Sequence, residues 1–266
     1  MRPKRFTRLL ALTVIGTVAL AAAALAQRGG GFGGFGGFGG DGGAPIEPNA
    51  RYDGRFTFVR LRYGPPIPFQ SQRAAWSHDY PTGERHFMKI LNEISYLAPH
   101  TEESNIVALD DPELFKFPLA YMAEPGRWVM TDKEAANFRA YLLKGGFVIF
   151  DDFRGGYDWS NFEGQMRRVL PEGQFMDLDA SSPIFHSFFE INSLDIVPQF
   201  YDRGVVPVFR GIFEGNDPQK RMMVMVNYNT DISEYWEWSD TGFKPIDESN
   251  EAYKLGVNYV MYGMTH

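Results

Sequence analysis

The stretch from Tyr141 to Trp159 constrains the fold of this chain more than any other segment. Its glycine pair, 145–146, suits the C-terminus of a helix, where a residue without a Cβ atom adopts the left-handed conformation freely. The apolar run 147–150 is typical of a strand that is covered on both faces. Asp151 and Asp152 follow this run, at the edge where open α/β sheets bind their ligands. We therefore predict an interior parallel strand with an acidic crevice just past its carboxyl end.

The other hydrophobic patterns predict alternating strands and helices around this segment. The predicted elements are a strand at 56–63, a helix from Glu84, strands at 106–109 and 117–122, a helix opened by the capping box Thr131–Glu134, the strand 147–150, a helix capped by Ser160–Glu163, strands at 205–213 and 222–227, and a last helix at 249–262. The turn at 214–218 predicts that the last two strands form a β-hairpin. This order predicts one three-layer α/β domain with a parallel sheet and an appended β-hairpin.

The N-terminal residues predict an exported protein. Four basic residues precede an apolar run at 9–25 that ends in Ala24-Leu25-Ala26, which is the pattern of a signal peptide over residues 1–26. The alternative is a retained N-terminal membrane anchor. Residues 27–51 are rich in Gly and Phe and predict a disordered linker, which leaves residues 52–266 as the α/β domain.

Composition narrows the location and the partners. The chain has no Cys, which excludes disulfides, thiolate metal sites and a Cys nucleophile, and an exported protein without disulfides fits a bacterial periplasm or cell surface. Without residues 1–26 there are 22 basic and 33 acidic residues, a formal charge of −11. This acidic balance argues against nucleic acid or an anionic membrane as the main partner. We expect a protein or cell-envelope partner, with membrane contact only through an uncleaved N-terminus.

Three acidic clusters fall at predicted strand ends or in nearby loops: His78-Asp79, Asp110-Asp111 and Asp151-Asp152. If the fold brings two of them together, they could hold a divalent cation or pair a general acid with a general base. The alternative is that these residues cap turns and helices, where Asp is favoured for its local hydrogen bonds. Trp159 could line a binding surface next to the crevice, or pack into the core or its rim.

His186 is a further candidate for a base or a ligand, if a carboxylate partner lies beside it. The alternative is a packed and hydrogen-bonded histidine. The sequence contains no His-Glu-x-x-His, no Gly-x-Ser-x-Gly and no glycine-rich phosphate loop after a first strand. We therefore predict no cofactor, and a divalent cation is the one addition that the acidic clusters would allow.

Several short motifs resemble a bacterial family of domains of unknown function, the family numbered 4159. The motifs are 58–61, 109–114, 141–146, 150–153, 166–171, 183–186, 256–258 and 265–266, and the resemblance covers about 56–266. It implies the flavodoxin-like sandwich of the class I glutamine amidotransferase-like superfamily. True amidotransferases have a Cys after the strand that 147–150 represents, whereas this chain has Asp151 and Asp152. The resemblance thus implies a binding crevice there and no amidotransferase activity.

Two functional hypotheses follow. The first is an exported, non-catalytic domain that binds a ligand or a protein at the crevice of Asp151 and Asp152, with Asp79, Asp110 and Trp159 as further candidate binding residues. The second is a hydrolase acting on a glycan or peptide, with Asp152 as general base, His186 as its partner and an optional divalent cation. A third alternative gives the acids a purely structural role as caps. The imidazole of His186 close to the carboxylate of Asp151 or Asp152 in a concave pocket would favour the hydrolase. Carboxylates committed to backbone amides, with His186 packed elsewhere, would favour binding.

Overall fold

A computed structural model describes residues 46–64, 74–195 and 197–266. The predicted signal peptide, residues 1–26, and residues 27–45 of the predicted linker lie outside the described residues. Residues 46–51 of that linker contact the folded domain. The Asn49 side chain exchanges two hydrogen bonds with the backbone of Ile106, at 3.0 and 2.8 Å. Over the three described ranges, no helix has the length and hydropathy needed to cross a membrane.

Strands and helices alternate along the described residues. The strands are β1 (Val59–Arg62), β2 (Asn105–Ala108), β3 (Leu119–Ala123), β4 (Phe147–Phe153), β5 (Met176–Asp177), β6 (Val208–Phe213) and β7 (Met222–Tyr228). The helices are α1 (Thr82–Ile94), α2 (Asp132–Leu143), α3 (Gly155–Val169), α4 (Ile232–Glu237) and α5 (Ile246–Thr265). The strands form one sheet in the order β2-β1-β3-β4-β7-β6-β5, of which the first five are parallel and the last two antiparallel to their neighbours. The prediction of an α/β protein with a largely parallel sheet is confirmed.

Helices cover both faces of this sheet, and β4 shows how. All seven of its residues are buried. Phe147 and Ile149 join the core cluster that contains α1, α4 and α5, whereas Val148 and Phe150 join the cluster that contains α2 and α3. Because successive side chains of a strand point to opposite faces, an unbroken apolar run places the strand between two helical layers.

The predicted local features on either side of α2 are confirmed. Thr131 and Glu134 form a complete capping box at its N-terminus. At its C-terminus Gly145 has a φ of 114°, a conformation that favours glycine. A Cβ atom on Gly146 would lie 2.5 Å from the ring of Tyr141, so the chain can enter β4 here only without a side chain.

Two sequence-based boundaries need correction. Asp151 and Asp152 lie inside β4 instead of after it, because the strand continues through an irregularity and pairs Phe153 with Tyr228. Ser160 is an interior residue of α3 and not its cap. That helix begins directly after the strand, since Gly155, with a φ of 75°, lets the chain turn at once.

Candidate functional site

The carboxyl edge of the parallel sheet gathers one histidine and four acidic residues from separate connections. His78 and Asp79 lie between β1 and α1, Glu124 directly follows β3, Asp152 lies near the end of β4, and Asp231 follows β7. Parallel strands that end at the same edge bring such residues together even when they are far apart in sequence. Of the three acidic clusters singled out in the sequence, the fold therefore brings together His78-Asp79 and Asp151-Asp152.

His78 lies between two carboxylates. Its Nδ1 atom is 2.8 Å from Oδ2 of Asp152 and 3.2 Å from Oδ1 of Asp79. The Asp79 side chain is fully buried and the Asp152 side chain 7% exposed, whereas the imidazole is 29% exposed. Burial alone would lower the pKa of His78, but the two carboxylates raise it well above its usual range. The two carboxylates therefore favour the protonated form of the imidazole.

Three acidic residues around His78 share an unusual backbone conformation. The φ angles are 62° for Asp79, 46° for Glu124 and 61° for Asp152. A positive φ is uncommon for residues other than glycine, and such conformations concentrate at functional sites, where surrounding structure holds them in place. Three of them at one sheet edge indicate that the positions of these carboxylates are imposed by the fold.

Asp151 has a different role from its neighbour. Its carboxylate accepts hydrogen bonds from the backbone N–H groups of Ile232 and Ser233, at 3.0 and 3.2 Å, and from the side chains of Tyr121 and Asn227, at 2.8 and 3.1 Å. Burial raises the pKa of Asp151 to about 7 against the effect of these donors. Asp151 thus attaches the start of α4 to β4.

Arg60 fixes the backbone that carries His78. It is 1% exposed, and its guanidinium donates to the carbonyl oxygens of Trp76 and His78, at 3.0 and 2.8 Å. Its charge is paired with the buried carboxylate of Glu84 on α1. A buried charge is tolerated only when it is paired and hydrogen-bonded, and Arg60 meets both conditions.

The segment 231–234 supplies site residues that sequence reasoning missed. Asp231 caps α4 by accepting the N–H of Glu234 at 3.0 Å, and Ser233 donates its hydroxyl to Oδ2 of Asp79. Within the described residues, His78, Asp79, Asp231 and Glu234 form one group of candidate metal ligands. The sequence does carry a signal here, because an Asp followed three residues later by a Glu marks a helix start, and this one directly follows a strand.

Glu124 completes a second, overlapping group with His78 and Asp152. The candidate ligand atoms of the three residues all lie within 4.8 Å of one another. Burial, with Asp152 adding to it, raises the pKa of Glu124 to about 7. The acidic edge thus contains a cluster with the residue types and spacing of a metal site.

Two other candidate residues are engaged elsewhere. Asp110 pairs with Lys133 at 2.7 Å on the surface. Both ring nitrogens of His186 are occupied, since Nδ1 lies 2.6 Å from Oε2 of Glu190 and Nε2 lies 2.6 Å from the carbonyl oxygen of Ala180. The imidazole that the fold places beside Asp152 is therefore His78, and not His186.

Trp159 lies on α3 in an aromatic cluster. Its ring stacks on Phe153 and contacts Tyr228, and the guanidinium of Arg210 lies 4.3 Å from the ring centroid. The indole also lines a surface groove of about 440 Å³. Most of its contacts are packing contacts, as the structural alternative predicts.

We expect the protein to be more stable at pH 5 than at pH 8. Asp151 and Glu124 have a raised pKa, so the folded chain binds more protons than the unfolded chain between about pH 4 and 7. The raised pKa of His78 extends this difference above pH 6.5. The free energy of unfolding should then fall with rising pH, by about 1.4 kcal/mol per pH unit for each extra proton bound.

Urea unfolding at a series of pH values measures this dependence. Below about pH 4 the sign reverses, because the pKa of Asp79 is lowered and its contribution is lost as acid protonates it. The variant Glu124→Gln should show a shallower decline between pH 5 and 8. A wild-type free energy of unfolding that rises over this range would contradict the assignment of these shifts.

The comparison with known families agrees with the predicted resemblance. A family described as "Domain of unknown function (DUF4159)" matches residues 57–264, which spans β1 through α5 and all residues of the acidic edge. A comparison with curated proteins found no match. Because the matched region makes up most of the chain, the protein belongs to the DUF4159 family of domains of unknown function.

Proposed function

We propose that this chain is a ligand-binding domain and that the acidic crevice around Asp152 binds a small cationic ligand. The observation that carries this proposal is the convergence of the Asp79, Glu124 and Asp152 carboxylates on the single imidazole of His78. One imidazolium does not balance three acidic side chains, and burial together with the charge of Asp152 raises the pKa of Glu124 to about 7. The crevice therefore favours a ligand that brings positive charge.

The nearby buried cations support this argument because they are already paired. Arg60 is committed to Glu84, and Lys244 to Glu234 at 2.7 Å. Both ion pairs are almost completely buried, so neither cationic side chain can reorient into the crevice without leaving a buried carboxylate unpaired. The guanidinium of Arg127, 70% exposed, lies 3.8 Å from Oε2 of Glu124 and supplies a solvent-screened part of the balancing charge, which leaves room for a positively charged ligand.

The exposure of the site supports a small ligand. Solvent reaches it through His78, whose side chain is 29% exposed, and Glu124, whose side chain is 21% exposed. Asp79 lies behind them with no exposure. Such an opening fits an ion or the charged tip of a longer molecule.

The proposal includes a flavodoxin-like fold and a place in the glutamine amidotransferase-like superfamily. The order β2-β1-β3-β4-β7 supports it, because it is the flavodoxin order with β7 in the fifth position and β6 and β5 added at the edge. In this proposal Asp152, with its positive φ near the end of β4, corresponds to the Cys of amidotransferases. Export through residues 1–26 is also part of the proposal, so that the ligand or partner belongs to the periplasm or cell surface.

Isothermal titration of the purified full chain tests the binding role. The probes are MnCl₂, ZnCl₂, the diamine putrescine and the peptide trilysine. We expect saturable binding of at least one probe, and a loss of about 10-fold or more in Asp152→Asn, since one charge contact in a crevice is worth about 1.4 kcal/mol or more. Asp110→Asn removes an acid outside the site and should bind as wild type does. Absence of binding by all four probes, or equal losses in both variants, would refute the proposal.

A hydrolase acting on a glycan or peptide is the second candidate. It is favoured by the distance of 2.8 Å between His78 Nδ1 and Asp152 Oδ2, which is the spacing of an acid–base pair. In this version Asp152 is the general base and His78 replaces His186 as its partner. Release of products from peptidoglycan fragments by wild type, and not by Asp152→Asn, would establish it, whereas tight binding without turnover would exclude it.

A further inference from the structure

We propose that the cationic ligand is a single divalent transition-metal ion, held by the imidazole of His78 and the carboxylates of Glu124 and Asp152, with Asp79 as an outer-shell carboxylate beside the imidazole. This inference rests on the proposed binding function and names the ligand of the same site. It starts from the separations between the candidate ligand atoms. The imidazole nitrogen is 2.8 Å from the Asp152 oxygen and 3.2 Å from the Asp79 oxygen.

These separations match the edges of a coordination shell. Metal–nitrogen and metal–oxygen bonds of about 2.1 Å, at octahedral or tetrahedral angles, place neighbouring ligand atoms roughly 3.0 to 3.4 Å apart. Glu124 completes this group, with its carboxylate atom within 4.8 Å of the ligand atoms of His78 and Asp152. The three residues are therefore close enough together for a single ion to contact all of them.

An independent observation points to a missing partner at the same place. The three atoms, His78 Nδ1, Asp79 Oδ1 and Asp152 Oδ2, are buried and none makes a hydrogen bond. They are close enough to form ion pairs, but the ring N–H is not aligned with either oxygen. A buried polar group without a hydrogen bond costs about 1–3 kcal/mol, so three at one point need an explanation. An ion bound to His78 and Asp152 supplies the missing partner of both of these atoms.

The surrounding residues hold the ligand atoms as the outer shell of a metal site does. Ser233 donates its hydroxyl to Oδ2 of Asp79, which leaves Oδ1 directed at His78. Arg60 donates a hydrogen bond of 2.8 Å to the carbonyl oxygen of His78 and so positions the residue that carries the imidazole. Metal ligands are usually oriented by such second hydrogen bonds, which fix the geometry before the ion arrives.

The ligand set selects the class of metal. Imidazole nitrogen combined with carboxylate oxygen suits Zn²⁺, Mn²⁺, Fe²⁺ and Co²⁺, whereas Ca²⁺ and Mg²⁺ prefer shells made of oxygen alone. The absence of Cys from the whole sequence removes the thiolate ligands that dominate structural zinc sites. We therefore expect Mn²⁺ and Zn²⁺ to bind more tightly than Mg²⁺ at equal concentration.

The test uses the purified full chain after treatment with a chelator. Titration calorimetry with MnCl₂, ZnCl₂ and MgCl₂ should give one site per chain for Mn²⁺ and Zn²⁺. Pulsed electron paramagnetic resonance of the Mn²⁺ complex should show coupling to one imidazole nitrogen. His78→Gln should abolish that coupling, and it tests the site even if Asp79→Asn fails to fold.

Removing an outer-shell residue typically lowers metal affinity by about 10- to 100-fold, and removing a direct ligand should lower it further. We expect His78→Gln and Asp152→Asn each to weaken binding by about 100-fold or more, and Asp110→Asn to leave it unchanged. Metal binding that persists in both site variants would overturn the inference. Binding of putrescine or trilysine, with no binding of any metal ion, would also overturn the inference of a metal site while leaving the proposed function intact. Binding of none of the probes would refute both the metal site and the proposed function.

Discussion

Replacing Arg60 with methionine is expected to lower the free energy of unfolding by about 3–5 kcal/mol, the usual cost of breaking a buried ion pair from one side. Methionine fills much of the volume but leaves the Glu84 carboxylate, 1% exposed, without its counter-ion. The carbonyl oxygens of Trp76 and His78 also lose their guanidinium donor. Urea unfolding of the two proteins measures the difference.

The double variant Arg60→Met/Glu84→Leu is the matched control. Replacing both members of a buried ion pair by apolar residues is often close to neutral, so the double variant should recover most of the lost stability. It should still fall short of wild type, because the carbonyl oxygen of His78 remains without its donor. If the single variant were as stable as wild type, the pair would have no structural role.

Loss of Arg60 should also disturb the geometry of the proposed ligand site. Its hydrogen bond to the His78 carbonyl holds the loop on which the imidazole sits, 2.8 Å from Asp152. In both variants we therefore expect weaker Mn²⁺ binding, even where stability is restored. A double variant with restored stability and wild-type affinity would show that the loop is positioned by other contacts.

The sequence predicted the framework of the sheet because the deciding signals are local. An unbroken apolar run, a glycine pair and a capping box each depend on fewer than ten neighbouring residues, and all three were confirmed around β4 and α2. The start of α3 was missed for the same reason. Ser160 is a residue type that favours the N-cap position. Gly155 and Gly156, however, allow the helix to begin at Gly155, five residues before Ser160.

The sequence predicted the site only in part. The location of the site at the sheet edge follows from the order of the strands, whereas the identity of its residues depends on tertiary packing. Apolar and polar residues alternate over 56–63, so the pattern predicts the same environment for Arg60 and Arg62. In the structure Arg60 is buried and paired with a glutamate on α1, whereas Arg62 is exposed. Sequence alone also does not decide which histidine meets Asp152. His78 does so because the connection after β1 returns to the same edge, whereas His186 is held by Glu190.

Replacing Lys244 with methionine is expected to lower the free energy of unfolding by about 3–5 kcal/mol. Its ammonium group is fully buried, 2.7 Å from Glu234, and lies 3.4 Å from the ring centroid of Phe200 and 4.6 Å from that of Tyr201. Desolvated cation–π contacts contribute up to about 2 kcal/mol, and the unpaired carboxylate adds the rest. Lys244→Met/Glu234→Gln should restore part of the loss, and equal stability of the single and double variants would contradict this account.

A divalent cation should rescue the Lys244→Met variant more than it stabilises wild type. Among the described residues, Glu234 then keeps only the hydroxyl of Tyr201 as a side-chain donor, and its carboxylate belongs with Asp79 and Asp231 to the ligand group that shares His78 with the proposed site. An ion that binds the folded state alone stabilises it by RT ln(1 + [L]/Kd), so a freed carboxylate that tightens binding increases the shift. Thermal unfolding with and without MnCl₂ measures both proteins. A smaller shift in the variant would mean that Lys244 supports the metal site by holding its residues in place, instead of competing with the ion for Glu234.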